Sequence, residues 1–157
     1  MGAECLVCRE LHGDVVVPGG FLWEDGAVAA FHMPPLEEVG NLRPYLGHLQ
    51  IVTRRHVAHL GELTDDESAA VGRTAARLSC ALTEAGGAEW VHAAVIGRRV
   101  PHFHLHLLPR YPGTPPEVAW HEVDEWQGGP HGGPEEIAEL VERLRTRIQD
   151  PFPNDEA

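Results

Sequence analysis

Residues 100 to 110 read VPHFHLHLLPR, with His102, His104 and His106 on alternate positions and apolar Phe103, Leu105, Leu107 and Leu108 between and after them. This alternation constrains the fold more than any other feature of the chain. In an extended strand, side chains point to opposite faces with period 2. The three imidazoles then line one face, neighbours roughly 7 Å apart. Phe103, Leu105 and Leu107 line the other. The apolar face needs a core, and a helix is its expected cover. The histidine face is expected to open on a ligand, solvent or a metal. A wet strand face accounts for one histidine. Three in register point to a site, because histidine has no special strand preference and clustered rings titrating near neutrality mark functional positions.

The rest of the chain supplies partners for such a strand. FLWEDGAVAAFHM reads as two short strands around a Glu24-Asp25-Gly26 turn, since Asp-Gly between apolar runs is a strong hairpin signal. LGHLQIVTRRH is a third strand ending near Arg54, and AEWVHAAVIG a fourth. The histidine segment is the fifth. The short Gly97-Arg98-Arg99 connection predicts antiparallel pairing of the last two. A helix follows Thr64, which forms a capping box with Glu67. Its apolar stripe is Val71, Ala75, Leu78 and Leu82, and Gly86-Gly87 ends it. Residues 112–134 form a long loop rich in Pro and Gly, of the kind that is usually functional or interfacial. A C-terminal helix over 135–149 carries Ile137, Leu140, Val141, Leu144 and Ile148 on one side. The expectation is one α+β domain over 1–150, a five-stranded antiparallel sheet with two helices, and a frayed tail at 151–157.

The 157 residues suffice for one domain with a real core. The net charge of −12 argues against a broad nucleic-acid surface, which needs clustered cations. A small anionic ligand is still compatible, because it feels local charge. Arg98 and Arg99 flank the histidine strand and can clamp phosphate oxygens, or simply carry solvated charge on a turn. No run approaches a membrane span, and MGAECLVCRE has no secretory-signal pattern. A cytoplasmic protein is the default expectation. There, Cys5-x-x-Cys8 reads as a metal or redox element rather than a disulfide. Cys80 is expected in the core of its helix, because free cysteine is among the most buried residue types.

HFHLHLL matches the His-φ-His-φ-His-φ-φ signature of the histidine triad (HIT) superfamily of nucleotide hydrolases and transferases, where φ is an apolar residue. YLGHLQIVTRRHVAHLGELTDDE and HLLPRY resemble the segments around that signature, and CLVC is similar to the cysteine pair of zinc-containing members. The likeness covers residues 5 to about 111. It implies a HIT-like fold and a nucleotide substrate, such as a dinucleoside polyphosphate. His104 would attack the α-phosphorus and form a covalent nucleotidyl-histidine. His106, on the same face, would donate to a phosphoryl oxygen. The resemblance further implies a structural zinc held by Cys5, Cys8, His56 and His102, a full tetrahedral set. His59 is the substitute ligand, and His48 is read as structural. His32 falls near the expected nucleotide pocket, whose apolar cover would come from Phe21, Trp23 and Phe31. A homodimer joined across the fourth strand and helix is also implied, with Trp120 and Trp126 positioned to reach the partner's site.

Many HIT hydrolases carry Gly-Gln-Ser/Thr ahead of the triad. This chain has Gly97-Arg98-Arg99, which suits a more anionic leaving group than a small amine. Two other readings stand beside the nucleotidyl enzyme. The three histidines could hold a catalytic metal with one open position, or the fold could bind nucleotide without turning it over.

Overall fold

The structure is a computed structural model, and it describes residues 5–97 and 99–151. Arg98 and nearly all of the expected tail lie outside the described residues. The chain runs α1 (Leu6–His12), β1 (Trp23–Glu24), β2 (Val28–His32), β3 (Leu49–Thr53), α2 (Asp65–Glu84), β4 (Trp90–Ala94), β5 (His104–Arg110) and α3 (Pro134–Gln149). The five strands form one sheet in the order β1-β2-β3-β5-β4, every pair antiparallel. This is the expected α+β architecture with one helix more than the sequence reading placed.

Register divides the chemistry of the two faces. Leu49 pairs with Leu107 and Ile51 with Leu105, while Gln50 pairs with His106 and Val52 with His104. Directly paired residues point to the same side of a sheet. Leu49, Ile51 and Leu107, with Val28, Ala30 and Phe103, therefore pack on the stripes of α2 and α3. Val71, Leu78 and Leu82 are buried in α2, and Ile137, Leu140, Val141 and Leu144 in α3, as their spacing predicts. Cys80 departs from its expectation. It is only half-buried, with its sulfur beside the Arg147 guanidinium at the α2–α3 seam.

Part of the opposite face is covered. The additional helix α1 lies over it, and Cys5, Val7 and Cys8 pack with Ala29, Phe31 and Val52. Seven residues are too few to show helical periodicity in a sequence window. They are also too few for a stable isolated helix, so α1 depends on what it packs against.

α2 starts where the capping box predicts. The Glu67 N–H donates to Thr64 Oγ1 at 3.1 Å, and the Thr64 N–H donates to Glu67 Oε2 at 2.9 Å. The same carboxylate accepts a fork from Arg55, at 2.9 and 2.7 Å. The Arg55 hydrogen bond, reinforced by the Thr64 N–H, holds the Glu67 carboxyl down at about 2. The fork ties the segment leaving β3 to the helix and so sets the position of His56, the next residue.

Candidate functional site

Two histidine clusters lie on the α1 side of the sheet, one taking His102 just before β5 and the other His104 and His106 within it. The first joins the beginning of the chain to its middle. Cys5 is the N-cap of α1 and Cys8 sits in its first turn. Cys8 Sγ lies 3.2 Å from His56 Nδ1 and 3.5 Å from His102 Nδ1, and Cys5 Sγ lies 3.6 Å from His102 Nδ1. All four ligand atoms fall within 4.8 Å of one another. Zinc bonds of 2.0–2.3 Å at tetrahedral angles separate ligand atoms by roughly 3.3–3.8 Å, close to the three contacts above, so the group could hold a metal ion. Its support is in place too. His102 Nε2–H donates to the Thr53 carbonyl at 2.7 Å, which turns the Nδ1 lone pair toward the sulfurs. Burial, together with the neighbouring Cys5, pushes the Cys8 thiol up to about 11. His59 does not join this group. Its backbone N–H donates to Glu62 Oε2 at 2.8 Å in the turn before α2.

The second cluster holds the other two triad members. The His104 Nδ1–H donates to the His102 carbonyl at 2.6 Å, so the remaining nitrogen, Nε2, carries the free lone pair. The His106 ring meets the His104 ring edge-on, with centroids 4.8 Å apart. His106 Nδ1 hydrogen-bonds His48 Nε2 at 2.9 Å. Behind it, His48 Nδ1 faces the Asp124 carboxylate at 3.8 Å. Burial lowers the His106 pKa to about 4 with help from His104, and holds His48 well below its ordinary value. Burial raises the Asp124 carboxyl. The cluster thus runs from His104 through the buried His106 and His48 and faces a carboxyl group from the 112–134 loop.

His48 was expected to be structural, and Asp124 carried no signal at all. The reason is distance: nothing in the spacing of residues 48, 106 and 124 shows that they meet. Gly47 sets the approach. Its φ of +91° suits glycine, and a side chain there would collide with the Tyr111 hydroxyl and Pro109. The Gly47 N–H donates to His32 Nε2 at 2.9 Å, while His32 Nδ1–H donates to the Met33 carbonyl at 2.8 Å. His32 is therefore fully committed to the fold, and burial lowers its pKa to about 4.

The triad does not converge as a three-histidine metal site. The one metal-capable group among the described residues takes His102 and leaves His104 and His106 out. Of the expected pocket aromatics, Phe21 and Phe31 pair on the histidine side, centroids 5.8 Å apart. Trp23 packs toward the main core under the Arg77 guanidinium. Arg99 lines a polar cavity of about 760 Å³ with Arg43, Asp124, Glu125 and His131, and so shares Asp124 with the second cluster.

The chain resembles known proteins in sequence and fold. The HIT domain family matches residues 41–113. An uncharacterised HIT-like protein of Methanocaldococcus jannaschii is 28% identical over 76% of this chain and 88% of its own. The bifunctional bis(5'-adenosyl)-triphosphatase/adenylylsulfatase FHIT of Arabidopsis thaliana is 34% identical over 53% of this chain and 50% of its own. A zinc-bound histidine triad family protein from Mycobacterium smegmatis has the same fold, with a TM-score of 0.67 at 20% identity over 92% of this chain and 93% of that one. Residues 41–113 match a HIT domain, and with the HIT-like relatives and the shared fold this supports a HIT superfamily protein.

Proposed function

We propose that the chain is a nucleotidyl hydrolase or transferase with His104 Nε2 as its nucleophile. One observation carries this reading: the His104 Nδ1–H is bound to the His102 carbonyl at 2.6 Å, which leaves Nε2 as the nitrogen available to attack. Its lone pair attacks the α-phosphorus of a nucleotide. An N–P bond forms, the P–O bond to the leaving group breaks, and the leaving group departs with that electron pair. Positive charge developing on the ring is stabilised through Nδ1–H by the His102 carbonyl. His106 donates to a phosphoryl oxygen and is oriented by His48. Water or a second acceptor then attacks phosphorus and releases Nε2. In single-turnover mixtures with α-phosphate-labelled diadenosine polyphosphate, quenched in alkali, label is expected on the protein. Turnover without protein-bound label at any time point, from milliseconds onward, would sink the covalent route.

Arg99, and Arg98 beside it in sequence, are proposed to bind the leaving group. Arg99 opens onto the cavity that Asp124 also lines, so its guanidinium suits the remaining phosphates of a dinucleoside polyphosphate. Arg99→Ala is expected to lower kcat/KM for diadenosine tetraphosphate about tenfold and to leave an adenosine phosphoramidate nearly unaffected. Equal losses on both substrates would remove the assignment.

The metal proposed for Cys5, Cys8, His56 and His102 is zinc, in a structural role because protein ligands fill all four positions. Among the described residues all three cysteines are free, which suits a reducing cytoplasm. No described helix is long and apolar enough to cross a membrane. A homodimer through the β4 edge completes the reading. That edge is unpaired, and Trp90, Ile96 and Trp120 are exposed along it or beside it. Trp120 lies near the His92 ring of its own β4. Light scattering is expected to give twice the chain mass, and the monomer mass would dispose of the dimer.

A further inference from the structure

His48 Nε2 and His106 Nδ1 lie 2.9 Å apart, and a hydrogen bond between two imidazole nitrogens needs one N–H and one lone pair. Burial disfavours charge on both rings. Two neutral arrangements satisfy the contact, and they differ at the substrate end. With the shared proton on His48 Nε2, His106 carries its own proton on Nε2 and can donate it, while His48 Nδ1 is a bare lone pair. With the shared proton on His106 Nδ1, His106 Nε2 is bare and His48 carries Nδ1–H. What stands opposite His48 Nδ1 therefore selects between them. The group there is Asp124, with Oδ2 at 3.8 Å. Its place is fixed from both sides. Val123 is fully buried beside Tyr45 and Leu108. The Leu46 N–H donates to the Pro130 carbonyl at 2.8 Å and the Gly132 N–H to the Pro44 carbonyl at 3.1 Å. These bonds hold the 112–134 loop against the segment that leads into His48.

We propose that Asp124 is a positioning residue that decides, through His48, whether His106 Nε2 carries a proton toward the substrate. The inference rests on the nucleotide reading above and adds the residue that prepares its phosphoryl donor. An ionised carboxylate opposite a bare Nδ1 sets two acceptors face to face. It therefore selects Nδ1–H on His48 and leaves His106 without a donor. A carboxyl that keeps its proton donates the O–H to Nδ1 and selects the donor form. The count is the same if that proton crosses to His48, which then donates from both nitrogens. In each case one proton held by the Asp124–His48 pair makes His106 a donor, and its loss unmakes it. Burial raises the Asp124 carboxyl, against a hydrogen bond from its own backbone. Glu125 acts with burial, and His131 and His121 act against it. Arg43 and Arg99 line the same cavity and favour the ionised form. His106, His32 and His104 surround His48.

Imidazole nitrogen NMR of the full chain, followed across pH, tests this without requiring turnover. In the wild type His106 is expected to carry Nε2–H at low pH and to change to Nδ1–H as pH rises, in step with loss of the proton from the Asp124–His48 pair. Asp124→Asn cannot ionise, and its amide donates to His48 Nδ1, so His106 should keep Nε2–H throughout. Turnover should follow the same proton. For diadenosine tetraphosphate, wild-type kcat/KM should fall about tenfold per pH unit above the midpoint of that change, and this alkaline limb should be missing in Asp124→Asn. Asp124→Ala offers no donor, and its kcat should be at least about tenfold lower with KM nearly unchanged. A wild-type His106 whose protonated nitrogen never changes overturns the proposal. So does an alkaline limb that persists in Asp124→Asn, or an Asp124→Asn protein as slow as Asp124→Ala at every pH. If the wild type turns over no diadenosine polyphosphate, the nucleotidyl reading fails, and the NMR titration still decides the assignment of Asp124.

Discussion

Replacing His104 with alanine is expected to abolish nucleotidyl transfer, with a fall in turnover on the order of 10⁴-fold or more. No label should then remain on protein quenched in alkali. The size of the loss follows from the role. Removing the attacking atom does not weaken one step among several; it eliminates the bond through which the reaction divides in two. The neighbours cannot stand in. His106 has Nδ1 engaged with His48, and His102 has one nitrogen on Thr53 and the other turned to the cysteines. The alanine variant should remain folded, because His104 lies over the α1 side of the sheet and outside the main apolar core. It should still bind mononucleotide. An alanine variant that turns over substrate within tenfold of the wild type would remove His104 from the reaction.

The second large effect is expected from the metal. Protein purified without chelator should contain one zinc per chain, and Cys8→Ser or chelation should lower Tm by roughly 10 °C or more. α1 is seven residues long and has no side-chain hydrogen bond at its N-cap. What holds it is Val7 and the cysteines against Ala29, Phe31 and Val52, and the four-residue ligand group. Loss of the ion leaves two buried thiols and two imidazoles facing one another with nothing between them. The effect should also reach the nucleophile, because the carbonyl that fixes His104 belongs to His102 itself. Turnover should therefore fall in Cys8→Ser even at temperatures where the protein is folded. Elemental analysis and a melting curve measured together decide the matter. Substoichiometric zinc, or an unchanged Tm in Cys8→Ser, would reject the site, and full zinc retention by His56→Ala would reject that ligand.

Local signals carried much of the fold. The hairpin turn at Asp25-Gly26, the Thr64–Glu67 capping box, the stripes of α2 and α3 and the alternation along β5 are each readable within about ten residues. Each encodes its element through backbone preference or burial period. The same alternation singled out His104 and His106, and likeness to known HIT proteins joined Cys5, Cys8, His56 and His102 into one ligand set before any distance was measured. α1 escaped because one helical face of seven residues contains too few positions to establish a period.

By itself, then, the sequence determined which residues could do chemistry and which strand face would carry them. Tertiary structure alone decided what those residues touch. It placed α1 over the histidine face, brought His48 between His106 and Asp124, and left Glu10 buried without a partner. Each of these contacts joins residues distant along the chain, or depends on the absence of a partner. Neither leaves a mark in local spacing, because both follow from how the sheet registers and from which loops close over it.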